Sequence, residues 1–269
     1  MKIFFNKKKL IKEIQNIENL GFVPTMGSIH EGHLSLIKKS KRLSNKTIVS
    51  IFINKPQFNN KSDFRKYPRS IKKDINLLKK SKTNYLYLPS AKEIYPHGIN
   101  KKIKISKWRK ILCGKNRKGH FEAVVDVVDR FIKIIKPSKI YLGEKDFQQF
   151  AIIREFLIKN KIKTKPVICP TIREKNGIAF SSRNYLLNNK ERMIAANVYK
   201  IVNRNRNKII KNSSYIKKIK NILMSESIKK IDYLEVLDAR KILNEKTKKK
   251  KLKIFLAYYI KKVRLIDNF

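Results

Sequence analysis

The sequence predicts an α/β fold, in which a parallel-sheet N-terminal domain over residues 1–170 precedes a smaller α+β C-terminal domain over residues 171–269. Short β-rich runs alternate with amphipathic stretches up to about residue 170, which is the pattern of βα units. After Pro170, two long helical stretches come first and three β-rich runs follow. With 269 residues, 42% of them hydrophobic, the chain can form a packed core without disulfides or metal.

The apolar spacing predicts the individual elements. In the first part, strands are expected at residues 21–25, 47–53, 84–88, 139–142 and 165–168. Helices are expected at residues 32–43, 70–80, 120–135 and 147–158, the third with an apolar face that packs on the sheet. The second part predicts helices at 190–211 and 214–229, then strands at 231–237, 253–260 and 263–266. The lysine run 248–251 is interpreted as a solvated loop.

The chain is strongly basic, because 66 Lys and Arg residues against 20 Asp and Glu residues give a net charge of +46. Such a balance is typical of proteins that bind nucleic acid or anionic membranes. The lysines are spread over every segment, however, and Lys, Asn and Ile share A/T-rich codons. We therefore attribute the charge to base composition and expect no specific nucleic acid. A positive surface would still steer anionic substrates.

Neither the cysteines nor the apolar runs indicate a secreted or membrane protein. Cys113 and Cys169 lie in unlike contexts without CxxC spacing, which argues against a zinc site or a disulfide scaffold and predicts two buried thiols. No stretch approaches the roughly 20 apolar residues of a membrane span, and the N-terminal apolar run is too short for a signal peptide. A cytoplasmic protein with no membrane partner is expected.

The most informative stretch follows the first expected strand and reads Met26, Gly27, Ser28, Ile29, His30, Glu31, Gly32, His33. A strand, a glycine-containing turn and a helix start can bind a phosphate through backbone N–H groups and the positive end of the helix. His30 and His33 project from one side and could donate hydrogen bonds or carry charge there. A core role or a metal pair are the alternatives. Phosphate chemistry is favoured, because two of four histidines lie here and no nearby third ligand completes a zinc site.

A second polar stretch follows the next expected strand and reads Asn54, Lys55, Pro56, Gln57, Phe58. In a parallel α/β sheet, ligands bind beyond the carboxyl ends of the strands, so this turn should lie beside the first one. The Gln57 amide offers both a donor and an acceptor, which suits a hydroxy acid.

A third stretch again joins a strand end to a helix and reads Gly143, Glu144, Lys145, Asp146, Phe147, Gln148, Gln149. Gly143 permits close backbone approach, and Lys145 supplies a point charge for phosphate. Asp146 could bind ribose hydroxyls or simply cap the helix. Gln149 lies one helical turn after Lys145 on the same side.

A fourth stretch, in the C-terminal part, reads Phe180, Ser181, Ser182, Arg183. Two hydroxyls followed by a guanidinium can clamp a phosphate with short donors and a bidentate charge. Serine pairs are common in ordinary loops, so this stretch gains its meaning from the three before it.

Together the four stretches resemble the pantothenate synthetase (pantoate:β-alanine ligase) family of the HxGH nucleotidyltransferase superfamily. Further matches are Tyr67, Pro68, Arg69; Gly119, His120, Phe121; Thr171, Ile172, Arg173, Glu174; and Ile231 to Val236. The resemblance implies a Rossmann-like N-terminal domain, a C-terminal domain that closes over the site, and a homodimer. It also implies that pantoate, ATP and β-alanine are converted to pantothenate, AMP and pyrophosphate through a pantoyl adenylate, with Mg²⁺ assisting.

The resemblance also implies roles for individual residues. Residues 26–33 would bind ATP, with His33 as the catalytic histidine and His30, Lys145 and Arg183 assisting. Gln57 and Gln149 would bind pantoate. The remaining expected ATP contacts are Gly143 to Asp146, the backbone of Ile172, and Phe180 to Arg183.

Three departures from the family pattern bear on these roles. Pro56 stands one place later than the usual proline, Phe180 replaces a usual methionine, and Lys72 and Lys73 leave Asp74 as the acid expected to assist Mg²⁺. Two alternatives remain at this point. One is another adenylyl or cytidylyl transferase with the same first motif, and the other is a basic nucleic-acid-binding protein.

Overall fold

A six-stranded parallel sheet forms the centre of the first 170 residues. The computed structural model describes residues 1–245, 247 and 249–269. The strands of this sheet are β1 Lys2–Phe4, β2 Leu20–Thr25, β3 Lys46–Ile51, β4 Tyr85–Tyr87, β5 Lys139–Gly143 and β6 Lys165–Cys169. They are confirmed where the sequence predicts them, except that β1 was not expected. With three residues, β1 is too short to give an alternating pattern.

Helices pack against the sheet, and their apolar side chains complete the hydrophobic core that the strands begin. They are α1 Lys7–Ile14, α2 Glu31–Leu43, α3 Lys61–Lys66, α4 Ile71–Lys80, α5 Ala91–Ile94, α6 Cys113–Asn116, α7 His120–Ile135 and α8 Phe147–Lys159. The apolar face expected on α7 is confirmed, because Val124, Val128 and Phe131 are all buried against the sheet. No helix in the described part of the chain is long and apolar enough to cross a membrane.

The strand order decides where a ligand can bind. Across the sheet the order is β1-β4-β3-β2-β5-β6. After β2, the chain adds β3 and β4 on one side of that strand, and it later adds β5 and β6 on the other side. The carboxyl ends of β2 and β5 therefore meet at the point where the winding reverses. In open α/β sheets this crevice is the ligand site.

The C-terminal part is a three-stranded antiparallel sheet packed against helices, as predicted. Its elements are α9 Asn189–Arg204, α10 Arg206–Lys211, α11 Ser213–Ser225, β7 Lys230–Asp238, α12 Ala239–Leu243, β8 Leu252–Ile260 and β9 Val263–Asn268. The start of α9 is fixed by a capping box between Asn188 and Glu191. In the expected loop 248–251, Lys248 lies outside the described residues.

The single helix expected at 190–211 is wrong, because the chain breaks there into α9 and α10 at Asn205. The Asn205 side chain donates to the carbonyl of Ile201 at 2.8 Å. Asparagine competes in this way with the helical hydrogen-bond ladder, which explains why apolar spacing alone did not reveal the break.

The last strand of the chain holds the third polar stretch in place. Asn268, which is buried, donates from Nδ2 to the backbone carbonyls of Glu144 at 2.8 Å and Lys145 at 3.0 Å. Next to it, Asp267 forms a bidentate ion pair with Arg173, with N–O distances of 2.6 and 2.9 Å. The C-terminal sheet thereby fixes the turn that follows β5.

We expect Asn268→Ala to lower the free energy of unfolding by about 1–3 kcal/mol, because two partly buried backbone carbonyls lose their donor. Urea denaturation measures this change, with Asn207→Ala, at an exposed asparagine, as the matched control. Equal stability of the two variants would contradict the assigned role of Asn268.

Candidate active site

One cleft at the carboxyl edge of the parallel sheet collects side chains from all four polar stretches. The residues named from the sequence that line it are Met26, His30, Gly32, His33, Gln57, Gly143, Lys145, Asp146, Gln149, Ile172, Phe180, Ser181, Ser182 and Arg183. Gly27, Ser28 and Ile29 do not line it; they form the turn beneath. The Glu31 side chain is exposed at the start of α2, and Glu144 pairs with Lys253 at 2.9 Å.

His30 and His33 stack on each other at the floor of this cleft. Their ring centroids are 4.0 Å apart, and the Nδ1 atom of each is buried without a protein partner. Gly32 makes this arrangement possible, because a Cβ there would lie 2.9 Å from the His30 ring. Phe180, which replaces the usual methionine, also stacks on His30, with 6.0 Å between the ring centroids.

Burial keeps both imidazoles neutral in the free protein. It lowers the pKa of His33 to about 4, with Lys145 adding to the effect. It lowers the pKa of His30 to about 2, with His33 and Lys145 adding to the effect. In the unliganded site the two rings are therefore neutral, and the expectation that they carry charge during attack on a phosphate stays a prediction. Each neutral ring offers one N–H donor to an incoming anion.

Asp74 does not face the cleft, contrary to its expected role at a metal. It is 1% exposed, and its two carboxylate oxygens accept the backbone N–H groups of Ser28 and Ile29, both at 2.8 Å. Ser28 has a φ of +53°, a conformation that a non-glycine residue adopts only when its surroundings hold it there. Asp74 is therefore the anchor of the turn that carries His30, and both of its oxygens are already engaged.

Two of the cations that line the cleft, Lys145 and Arg183, differ in how closely a carboxylate pairs with them. Lys145 lies 3.5 Å from Asp146, which is 45% exposed and gives only a long contact. Arg183 is held by Asp63 of α3, with 2.8 Å between Nη2 and Oδ2. This carboxylate is the strongest contact of the Arg183 side chain, and it holds the pKa of the guanidinium above its usual value although burial opposes that shift.

The shifted proline leaves the amide of Gln57 in the cleft. Lys55, Pro56 and Gln57 form one 3₁₀ turn, and Pro56 stands in the first turn, where a missing N–H costs least. Gln57 accepts a hydrogen bond from Asn54 at 3.0 Å and donates to the Met26 sulfur at 3.1 Å. The spacing between Asn54 and Gln57 thus keeps both amides at the end of β3.

The two glutamines at the start of α8 have separate tasks. Gln148 is buried, and its amide donates to the carbonyls of Trp108 and Ile111, both at 2.7 Å, and accepts the N–H of Cys113. Gln149 lines the cleft. Cys113 and Cys169 are both free and buried, as expected.

Several lining residues were not assigned to the site from the sequence, among them the polar side chains of Asn54, Tyr67, Arg117 and His120. His120 and Tyr67 belong to stretches that carried the family resemblance, so that signal was present. Arg117 and Asp63 lie in irregular or very short elements, where spacing carries no information about orientation. Only the fold brings Arg117 to the cleft and Asp63 to Arg183.

Comparison with known proteins agrees with this geometry. The family model described as pantoate-beta-alanine ligase matches residues 2–269. The chain belongs to this family. It is 39% identical over 265 residues to the pantothenate synthetase of Caldicellulosiruptor saccharolyticus, covering 97% of this chain and 93% of the relative. It is 40% identical over 270 residues to that of Francisella tularensis subsp. novicida, covering 96% and 95%.

Solved structures give the same result. A Francisella tularensis pantoate–β-alanine ligase, complexed with beta-gamma ATP and β-alanine, matches with a TM-score of 0.87 at 37% identity, covering 100% of this chain and 97% of that one. A Thermus thermophilus pantothenate synthetase matches with a TM-score of 0.91 at 29% identity, covering 100% and 99%. The match over the whole chain decides against the two alternatives that the sequence left open.

The neutral state of the two histidines can be tested by NMR. Burial lowers the pKa of both histidines in the folded protein below the value of about 6.5 that they have in the unfolded chain. Between these pKa values the unfolded chain therefore binds more protons than the folded protein does. We expect the His30 and His33 ring signals not to titrate between pH 8 and about 5.5, and stability to fall as the pH drops through this range. A native ring of this pair that titrates near pH 6.5 would refute the assignment.

The role of Asp74 can be separated from a role at a metal. Asp74→Ala leaves two buried N–H groups without acceptors, so we expect a loss of about 2–4 kcal/mol in unfolding free energy. The Mg²⁺ concentration for half-maximal activity should stay at its wild-type value. An increase of about tenfold or more would instead assign the carboxylate to the metal.

Proposed function

We propose that the cleft catalyses the ATP-dependent condensation of pantoate with β-alanine, giving pantothenate, AMP and pyrophosphate. The observation that carries this proposal is the convergence of four loops on one cleft, where unpartnered imidazoles, an ammonium group, a guanidinium group and two amides meet. This set matches a reaction that joins a nucleoside triphosphate to a hydroxy acid.

The chemistry requires an activated intermediate. A carboxylate does not react with an amine directly, because oxide is a very poor leaving group. One pantoate oxygen therefore attacks the α-phosphorus of ATP, the bond to pyrophosphate breaks, and pantoyl adenylate forms. The amine of β-alanine then attacks the acyl carbon, the acyl C–O bond breaks, AMP leaves and the amine loses a proton.

The side chains divide this work by position. The neutral N–H groups of His30 and His33 donate to oxygens of the α-phosphate as negative charge develops there. Lys145 and Arg183 stabilise the leaving pyrophosphate, and Arg183 exchanges Asp63 for phosphate oxygens when ATP binds. Gln57 and Gln149 orient the hydroxyl and carboxylate of pantoate. Ile172 lies at the adenine end, tied to Phe180 by a 3.0 Å backbone hydrogen bond.

The described residues do not fit a magnesium site built by the protein. They contain no cluster of three or more His, Cys, Asp or Glu side chains that could hold a metal ion, and the oxygens of Asp74 are engaged by backbone N–H groups. We propose that Mg²⁺ enters as part of the ATP complex, and the steps above depend on the side chains of this chain alone.

Three further points belong to the same proposal. Residues 171–269 form a second domain, which closes over ATP and excludes water from the mixed anhydride. The enzyme is a homodimer. It acts in the cytoplasm, where its two buried, unpaired thiols remain reduced.

An assay with three substrates and omission controls tests the reaction. We expect AMP and pantothenate only when ATP, pantoate and β-alanine are all present. Without β-alanine, pantoyl adenylate should accumulate on the enzyme. AMP formation that does not depend on pantoate would contradict the proposal.

Single substitutions test the roles of the charged and imidazole groups. His33→Ala and Lys145→Ala should each lower kcat by about a hundredfold or more, because each removes a preorganised donor to developing charge. His97→Ala and Lys262→Ala, at exposed positions outside the cleft, are the matched controls. Wild-type rates in both cleft variants would refute the assigned roles.

A further inference from the structure

Arg117 is a largely buried cation on the wall of the cleft, between α6 and α7. It also borders a second, smaller cavity that adjoins the cleft and that β8 and β9 close from the other side. Its guanidinium donates from Nη2 to the backbone carbonyl of Gln57 at 3.2 Å and contacts His120 Nε2 at 2.9 Å. The side chain is thus held beside the residue proposed to bind pantoate.

His120 fixes the orientation of this guanidinium. The other ring nitrogen, Nδ1, lies 2.9 Å from the carbonyl oxygen of Gln57, which can only accept, so Nδ1 carries the proton. Nε2 is then a lone-pair acceptor for the Arg117 N–H. Burial lowers the pKa of His120 well below its usual value, and the adjacent Arg117 charge adds to this effect, so the ring stays neutral. Both contacts hold the guanidinium through neutral groups, and neither provides it with an ion-pair partner.

Two neighbouring arginines have carboxylate partners, whereas Arg117 has none in the part of the chain that the structure describes. Arg183 pairs with Asp63 and Arg264 pairs with Asp232, each at 2.8 Å. Within residues 1–245, 247 and 249–269, no carboxylate lies within ion-pair distance of Arg117. Burial and the charges of Arg183 and Arg264 lower its pKa to about 10, which is a sign of an environment that favours an anion. Its guanidinium has five N–H donors, and the contacts with His120 and Gln57 use two of them.

We propose that Arg117 binds the carboxylate of β-alanine and thereby selects an amino acid as the acceptor amine. This inference rests on the proposed function. Among the anionic groups of the substrates, the phosphates have Lys145, Arg183 and the start of α2, and the pantoate carboxylate must reach the α-phosphorus near His30. The β-alanine carboxylate takes part in neither bond-forming step and needs a permanent partner. Arg117, next to Gln57, supplies that partner beside the acyl group that the amine attacks.

The two half-reactions separate this role from binding of phosphate or pantoate. Pantoate-dependent exchange of labelled pyrophosphate into ATP reports formation of the adenylate without β-alanine. We expect Arg117→Met to raise the KM for β-alanine by about 30-fold or more, as removal of one partner from a buried charge pair does. The exchange rate and the KM for ATP should change far less. Arg109→Met, at an arginine outside the cleft that pairs with Glu122, is the matched control.

Discrimination between amines gives a readout that partial misfolding cannot change. Wild-type enzyme should prefer β-alanine over β-alaninamide in kcat/KM by about 30-fold or more, because the amide lacks the charge that Arg117 pairs with. In Arg117→Met this ratio should approach one, and Arg117→Lys should restore part of it. The ratio does not depend on the fraction of active protein.

The outcomes distinguish this inference from the proposed function. A wild-type enzyme that makes no pantothenate would refute the proposed function itself. Normal wild-type synthesis, combined with an unchanged amine preference in Arg117→Met, would overturn only the inference about Arg117. Loss of pyrophosphate exchange to the same degree as loss of pantothenate synthesis would assign Arg117 to ATP or pantoate and would likewise overturn it.

Discussion

Parallel pairing of β2 with β3 on one side and β5 on the other is the constraint on which the site depends. Because parallel strands end at the same edge, the loops after β2, β3 and β5 open into one crevice, although about 120 residues separate the first from the last. The fourth loop reaches the same crevice from the C-terminal part, where Ser182 contacts the carbonyl of Ser28 at 3.3 Å. Backbone pairing between strands thus brings together polar side chains that lie far apart in the sequence.

The floor of that crevice, which could bind an anion, is formed by neutral side chains rather than by charged ones. Two neutral, stacked imidazoles lie at its floor, and cations that differ in how closely a carboxylate pairs with them line the walls. Arg183 pairs with the Asp63 carboxylate, whereas Arg117 contacts the His120 ring and the Gln57 carbonyl, which are both neutral. Preorganised donors of this kind stabilise developing charge, because they need no reorganisation during the reaction. The large positive charge of the chain would attract anionic substrates at long range, and this attraction would weaken as the salt concentration rises.

Much of the fold and of the candidate site could be predicted from the sequence, and each failure has a physical reason. The βα alternation and the HxGH stretch identified the sheet, the order of its loops and His30 and His33, because local patterns carry that information. Asp74 was misassigned because its partners are backbone N–H groups 45 and 46 residues away, and a sequence does not show such contacts. Asp63 and Arg117 were missed for a related reason: they lie outside long periodic elements, and only the assembled fold gives them a direction.

Activation of pantoate at the α-phosphorus of ATP, which we propose for this site, can be followed directly with an isotope. Pantoate labelled with ¹⁸O in its carboxylate would be converted by the enzyme, and the products analysed by mass spectrometry. We expect one labelled oxygen in each AMP, because attack on the α-phosphorus leaves the pantoate oxygen on that phosphate when the amine displaces AMP. Label in pyrophosphate or inorganic phosphate, with none in AMP, would refute activation at the α-phosphorus.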